Sequence, residues 1–131
     1  MILSRVLLLF CACFVAVSST LAGDGLARED GVRLLDVCQT ALEWQNGTQT
    51  DADARAKASL CIGFVEGFVW GHGWKSWRTG DDMYFCPPEG FGFRDAIPVL
   101  VAYLEEHPER LIQRAHLLVF SALSSKFPCS Q

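Results

Sequence analysis

Hydrophobic residues in this chain recur at helical spacing in four separate blocks. Leu34, Leu35, Cys38, Ala41 and Leu42 fall three and four apart and predict a first helix that ends near Trp44. Asn46-Gly47-Thr48 then breaks the pattern with turn residues. The same triplet matches a glycosylation sequon, but a turn accounts for it without further assumptions. Asp51 opens a second helix, because its carboxylate can accept from the orphan amides of a first turn. Ala52, Ala54, Ala56 and Ala58 favour helix, and Cys61, Phe64, Val65, Phe68 and Val69 supply the apolar face. Gly63, Gly67 and Gly71 repeat every four residues along one stripe. Each costs a helix about 1 kcal/mol relative to alanine. Their recurrence predicts that another helix packs there closely, and Gly71 is expected to end the element.

From His72 to Arg94 no period is sustained. This stretch holds two adjacent prolines and the aromatics Trp74, Trp77, Tyr84, Phe85, Phe91 and Phe93, and it is expected to be a long connection. A third helix is predicted from about Asp95 to Glu106, with Pro98 in its first turn. His107-Pro108 forces a break, and Pro108 is placed as the first residue of a fourth helix. Leu111, Ile112, Ala115, Leu118, Val119 and Ala122 give that helix its apolar face. The fold class that follows is all-α, a compact bundle of four main helices.

A fifth apolar block lies at the N-terminus. Arg5 precedes an unbroken run from Val6 to Val17, followed by Ser18-Ser19-Thr20-Leu21-Ala22-Gly23. A positive start, an apolar middle and small residues at the end predict a signal peptide over residues 1–22. The run falls short of the roughly 20 residues that span a bilayer, and no later run is longer. A single exported domain of residues 23–131 is therefore expected, with no membrane segment after cleavage. Its formal charge, −4 for the whole chain, comes with no basic run. Nucleic acid and anionic lipid are poor partners for such a surface.

Four cysteines remain in that domain: Cys38, Cys61, Cys86 and Cys129. An even number in a small exported domain points to disulfides, and none shows the close spacing of a zinc site. Four cysteines permit three pairings. If the first two helices form one hairpin and the last two another, Cys38 is symmetric with Cys61 about the first turn. Cys86 is likewise symmetric with Cys129 about the second. That geometry favours Cys38–Cys61 and Cys86–Cys129.

The ordered motifs carry a resemblance. Cys61-Ile62-Gly63-Phe64-Val65-Glu66-Gly67 fits C-x-G-[FY]-x-x-G, and Cys86-Pro87-Pro88-Glu89-Gly90 fits C-x-P-x-G. With Tyr103-Leu104-Glu105-Glu106-His107-Pro108-Glu109, Ala122-Leu123 and Phe127-Pro128-Cys129, the set resembles the Rap/Tai family. Those are periplasmic immunity proteins against type VI secretion amidases. The resemblance implies a helical fold similar to the acid-stress chaperone HdeA, disulfide bonds and often a homodimer. It further implies a protein partner, a peptidoglycan amidase whose active site is blocked, and a periplasmic location in a Gram-negative cell. It assigns no effector-contacting residue by position.

Catalytic chemistry finds no support in the sequence. Of the histidines His72, His107 and His116, His107 precedes a helix-opening proline and suits a cap or turn, His116 lacks a helical metal-pair partner, and no nucleophile elbow or phosphate loop is present. No catalytic, cofactor-binding or metal-binding residue is expected, no cofactor is implied, and the chain is read as a non-enzyme. Binding has a candidate in the His72–Asp82 segment. Trp74 and Trp77 alternate there with Lys75 and Arg78 ahead of Asp81 and Asp82, and Trp and Arg dominate interface energies. The competing reading for each tryptophan is core filling. Beside immunity stand two other functional readings, an HdeA-like acid-stress chaperone and a structural envelope protein.

Overall fold

A computed structural model of the chain describes residues 31–79 and 83–129. The expected signal peptide lies outside these residues. Four α-helices follow one another: α1 (Gly31–Gln45), α2 (Ala52–Thr79), α3 (Phe93–Glu106) and α4 (Ala115–Lys126). A 3₁₀ turn, Pro108–Arg110, lies between α3 and α4. Every regular element described is helical, as the four blocks of apolar spacing require.

The core sits around α3, which touches all three other helices. Ile97, Leu100 and Leu104 of α3 are fully buried against Leu34 and Cys38 of α1, Cys61 and Val65 of α2, and Leu118 and Leu123 of α4. Phe85, from the connection before α3, is the largest fully buried side chain in this core. Asp51 caps α2 as expected: the Ala54 amide donates to its Oδ1 at 3.0 Å. That bond lowers the carboxyl's pKa, since it favours the charged form. Gly47 turns the chain between α1 and α2 with φ of +74°, a region glycine enters without strain.

Both favoured disulfides are present. Cys38–Cys61 ties α1 to α2 with both residues at 0% exposure. Cys86–Cys129 ties the connection before α3 to the end of the chain, and Cys86 there is exposed.

Several boundaries differ from expectation. The second helix does not stop at Gly71. It continues to Thr79, so eight residues expected in a loop are helical. At 28 residues it is roughly 42 Å long, and its second half runs well past the end of α1. Helix α3 opens at Phe93, because the Asp95 carboxylate accepts from the Gly92 amide at 3.0 Å and closes the first turn. Pro98 therefore lies in its second turn and removes one internal hydrogen bond there. Pro108 opens the 3₁₀ turn, and α4 begins only at Ala115. The Gly31 amide donates to the Leu111 carbonyl. Holding Leu111 over the start of α1 keeps residues 111–114 out of the helix and leaves Ile112 87% exposed.

The glycine stripe also behaves differently. A Cβ at Gly63, Gly67 or Gly71 would meet nothing within 4 Å, so none of the described helices packs closely on that face. Close packing falls on Gly31 instead. A Cβ there would lie 2.5 Å from the Leu118 side chain and 2.8 Å from the Leu111 backbone.

Candidate protein-binding face

Helix α2 presents two opposite stripes. Ala54, Ala58, Cys61 and Val65, each at most 2% exposed, form one. His72 lies at the same angular position two turns further on. The other stripe, about half a turn away, runs through Leu60, Gly63, Gly67, Trp70, Gly71, Trp74 and Arg78. On it Leu60 is 44% exposed, Trp70 73% and Trp74 60%. The glycines between them add no side chain, so the indole rings stand beside bare helix backbone. A soluble helix gains nothing internally from three such glycines, and a wide apolar stripe in water is itself unfavourable.

The residues expected to face a partner divide as follows. Trp74 and Arg78 lie on this exposed stripe, on a helix and not on a loop. Lys75 is turned away from it. Its Nζ sits 4.8 Å from the centre of the Tyr84 ring and donates to the Tyr84 hydroxyl at 3.2 Å. Trp77 is on the last turns of α2, but its side chain is outside the described residues, as are Asp81 and Asp82. Trp70 escaped the sequence reading because the helix was ended at Gly71. Extending the pattern by two turns would have placed Trp70 and Trp74 one turn apart on a single face.

A second group braces this half of α2. The His72 ring stacks on Phe85 with centroids 4.1 Å apart and lies 5.7 Å from Tyr84. Tyr84 meets Phe120 of α4 edge-on at 5.6 Å. Burial, aided by the charge of Lys75, pushes the His72 pKa down, against a hydrogen bond from the ring to the Phe85 backbone. Its Nε2 is buried with no hydrogen-bond partner. The ring is therefore held neutral and acts as an aromatic spacer between the helix and the connection.

Two of the concavities formed by the described residues bear on a candidate site. One, of about 400 Å³, lies between α2 and residues 83–93 and is walled by Trp70, Phe85, Phe91 and Phe93 with Glu66 at its edge. The other, of about 480 Å³, lies between α3 and α4 and is lined by Tyr103, Glu106, His107 and Lys126. Of the groove's residues, Tyr103 accepts at its hydroxyl from Arg110, and His107 Nδ1 is 3.4 Å from a Glu109 oxygen. These contacts organise a helix end and hold no nucleophile against a base. Among the described residues no group of three or more His, Cys, Asp and Glu side chains could hold a metal ion. No described helix is long and apolar enough to cross a membrane.

The face is thus an aromatic, backbone-exposing helix stripe with a cleft beside it, a geometry suited to contact with another macromolecule. The family model described as Rap1a immunity proteins matches residues 30–129, which takes in every described element. No curated protein and no solved structure matches the chain significantly.

Proposed function

The chain belongs to the Rap1a immunity protein family, and on that premise we propose that it binds and blocks a peptidoglycan amidase delivered by a type VI secretion system. The amidase as target rests on the likeness of the motifs to the Rap/Tai proteins. In this reading residues 1–22 direct export and are removed, and residues 23–131 act in the periplasm. One observation carries the choice of surface: Trp70 and Trp74 stand 73% and 60% exposed on a stripe of α2 cleared by glycines. Tryptophans anchor interfaces because they bury large rigid area at little rotamer cost.

Inhibition by occlusion asks for a preformed surface, since ordering a flexible one on binding wastes affinity. Two cross-links supply that rigidity here. Cys38–Cys61 fixes the base of α2 on α1, and Cys86–Cys129 fixes the strap carrying Tyr84 and Phe85 under its far end. Trp77, Arg78, Asp81 and Asp82 remain candidate contacts in this proposal, and Lys75 holds the strap. A nanomolar complex needs about 12 kcal/mol, within reach of a few buried aromatic anchors.

The test is a titration of the oxidised domain, residues 23–131, against secreted amidases encoded beside it, read by calorimetry and by peptidoglycan hydrolysis. Stoichiometric loss of hydrolysis is the expected result. Tight binding that leaves hydrolysis intact, or no binding to any of these enzymes, overturns the proposal.

A further inference from the structure

The cleft between α2 and residues 83–93 has a chemistry that the exposed stripe does not. Among the described residues that line it, Glu66 is the sole charged group, and no hydrogen bond or ion pair engages its carboxylate. The walls are aromatic: Trp70 on one side, Phe85, Phe91 and Phe93 on the other. His72 also lines the cleft, and burial keeps it neutral, so it adds no positive charge to repel a cation. Met83 adds a polarisable sulfur. Lys75, on the same helix, is engaged with Tyr84 and does not line the space. Arg94, next to Phe93 on α3, has its guanidinium 6.0 Å from that ring's centre, so one of these rings already has a cation of the chain near it.

A carboxylate at the rim of an aromatic cage selects for one kind of occupant. The faces of Trp and Phe rings carry negative quadrupole charge and attract ammonium and guanidinium groups. The aliphatic stem of lysine or arginine meanwhile covers apolar wall. An anion meets Glu66 and is repelled, and a purely apolar side chain leaves that carboxylate desolvated without a partner. The volume, about 400 Å³, is of the size that ligand pockets have.

We propose that this cleft is a receptor for a basic side chain, a lysine or arginine presented by the partner protein, with Glu66 as its ion-pair acceptor and Trp70 as its principal ring. The inference deepens the immunity reading by stating what the partner must present. Trp70 lies on both the exposed stripe and the cleft wall, so a partner seated on the stripe can deliver the side chain without a second docking surface.

The test uses the oxidised domain and blocked tripeptides, acetylated and amidated, of the form Gly-X-Gly with X arginine, lysine or norleucine. Amide and indole NMR shifts of residues 66–73 and 83–93 report binding. Arginine and lysine peptides are expected to move these signals in the millimolar range, with the Trp70 indole among them, and norleucine is expected to leave them in place. Glu66→Gln is expected to weaken the basic peptides about fivefold, the scale of one incompletely buried ion pair. The same spectra check that the variant remains folded. Absence of shifts with the basic peptides, equal shifts with norleucine, or unchanged affinity in Glu66→Gln each overturns the receptor. Failure of the immunity reading looks different: the peptides bind, and no amidase does.

Discussion

The two halves of α2 belong to one continuous helix and have opposite fates. Residues 52–65 put Ala54, Ala58, Cys61 and Val65 into the core and anchor them with a buried disulfide. Residues 66–79 put Trp70 and Trp74 into water and space them with glycines. Small side chains let the first half approach α1 closely. The two large indoles on the second half stay mostly exposed. The first half therefore carries core packing, and the second half presents exposed aromatic surface. Their response to substitution should be opposite in kind, stability for one and binding for the other.

The largest effect should come from the buried cross-link. Cys38→Ala with Cys61→Ala is expected to cost about 4 kcal/mol in urea unfolding, most of it loop entropy and the rest a cavity. A loss under about 1 kcal/mol would mean that the first half is not the anchor. Access should differ as well. A mild dithiol reductant acting on the folded domain should open Cys86–Cys129, whose Cys86 is exposed, long before Cys38–Cys61. Mass analysis after thiol alkylation would show the order, and simultaneous reduction would erase the contrast.

Trp70→Ala with Trp74→Ala should do the reverse. Affinity for the amidase should fall about a hundredfold, roughly 3 kcal/mol, while unfolding free energy stays within about 0.5 kcal/mol. A collapse of stability would show instead that these rings hold the fold.

Glycine positions sharpen the comparison through the sign of the effect. Gly31→Ala drives a methyl group into Leu118 and the Leu111 backbone and should destabilise by about 2 kcal/mol. Gly67→Ala meets open space and should stabilise the free domain by up to about 1 kcal/mol, while weakening the complex by filling the stripe. Thermal unfolding and amidase titration of both variants separate the two outcomes. If Gly67→Ala left affinity unchanged, the partner would not sit on that stripe.

The smallest effect is the pH response of the brace. His72 has its pKa held below the ordinary 6.5 by burial first and by Lys75 second. Below that value the unfolded chain binds a proton that the folded chain resists. Its contribution is therefore complete above pH 6.5 and declines as pH falls from there through the lower folded value. His72→Gln should flatten the stability curve below 6.5 relative to the native chain. Parallel curves would show that this ring does not titrate on unfolding.

Much of the fold was legible in the chain. Helical spacing of Leu34 through Leu42 and of Ala115 through Ala122 located α1 and α4, because amphipathic periodicity is a local property of the sequence. The Asp51 cap was legible for the same reason, and symmetry about the two turns favoured the two disulfides among three possible pairings. The length of α2 was not. Three glycines and a histidine look like an ending when only propensity is weighed. The His72–Phe85 stack and the strap pinned by Cys86–Cys129 hold the helix onward to Thr79. Those contacts join residues distant in sequence, and local pattern carries no record of them.

By itself, then, the sequence determined the helical class, the blocks that form the core and the cysteines that join them, since each follows from spacing along one chain. Tertiary structure decided which glycine is crowded, which tryptophans meet water, and that Glu66 shares a cleft with rings from two elements. Those outcomes depend on what lies opposite each residue, and only the folded packing sets that.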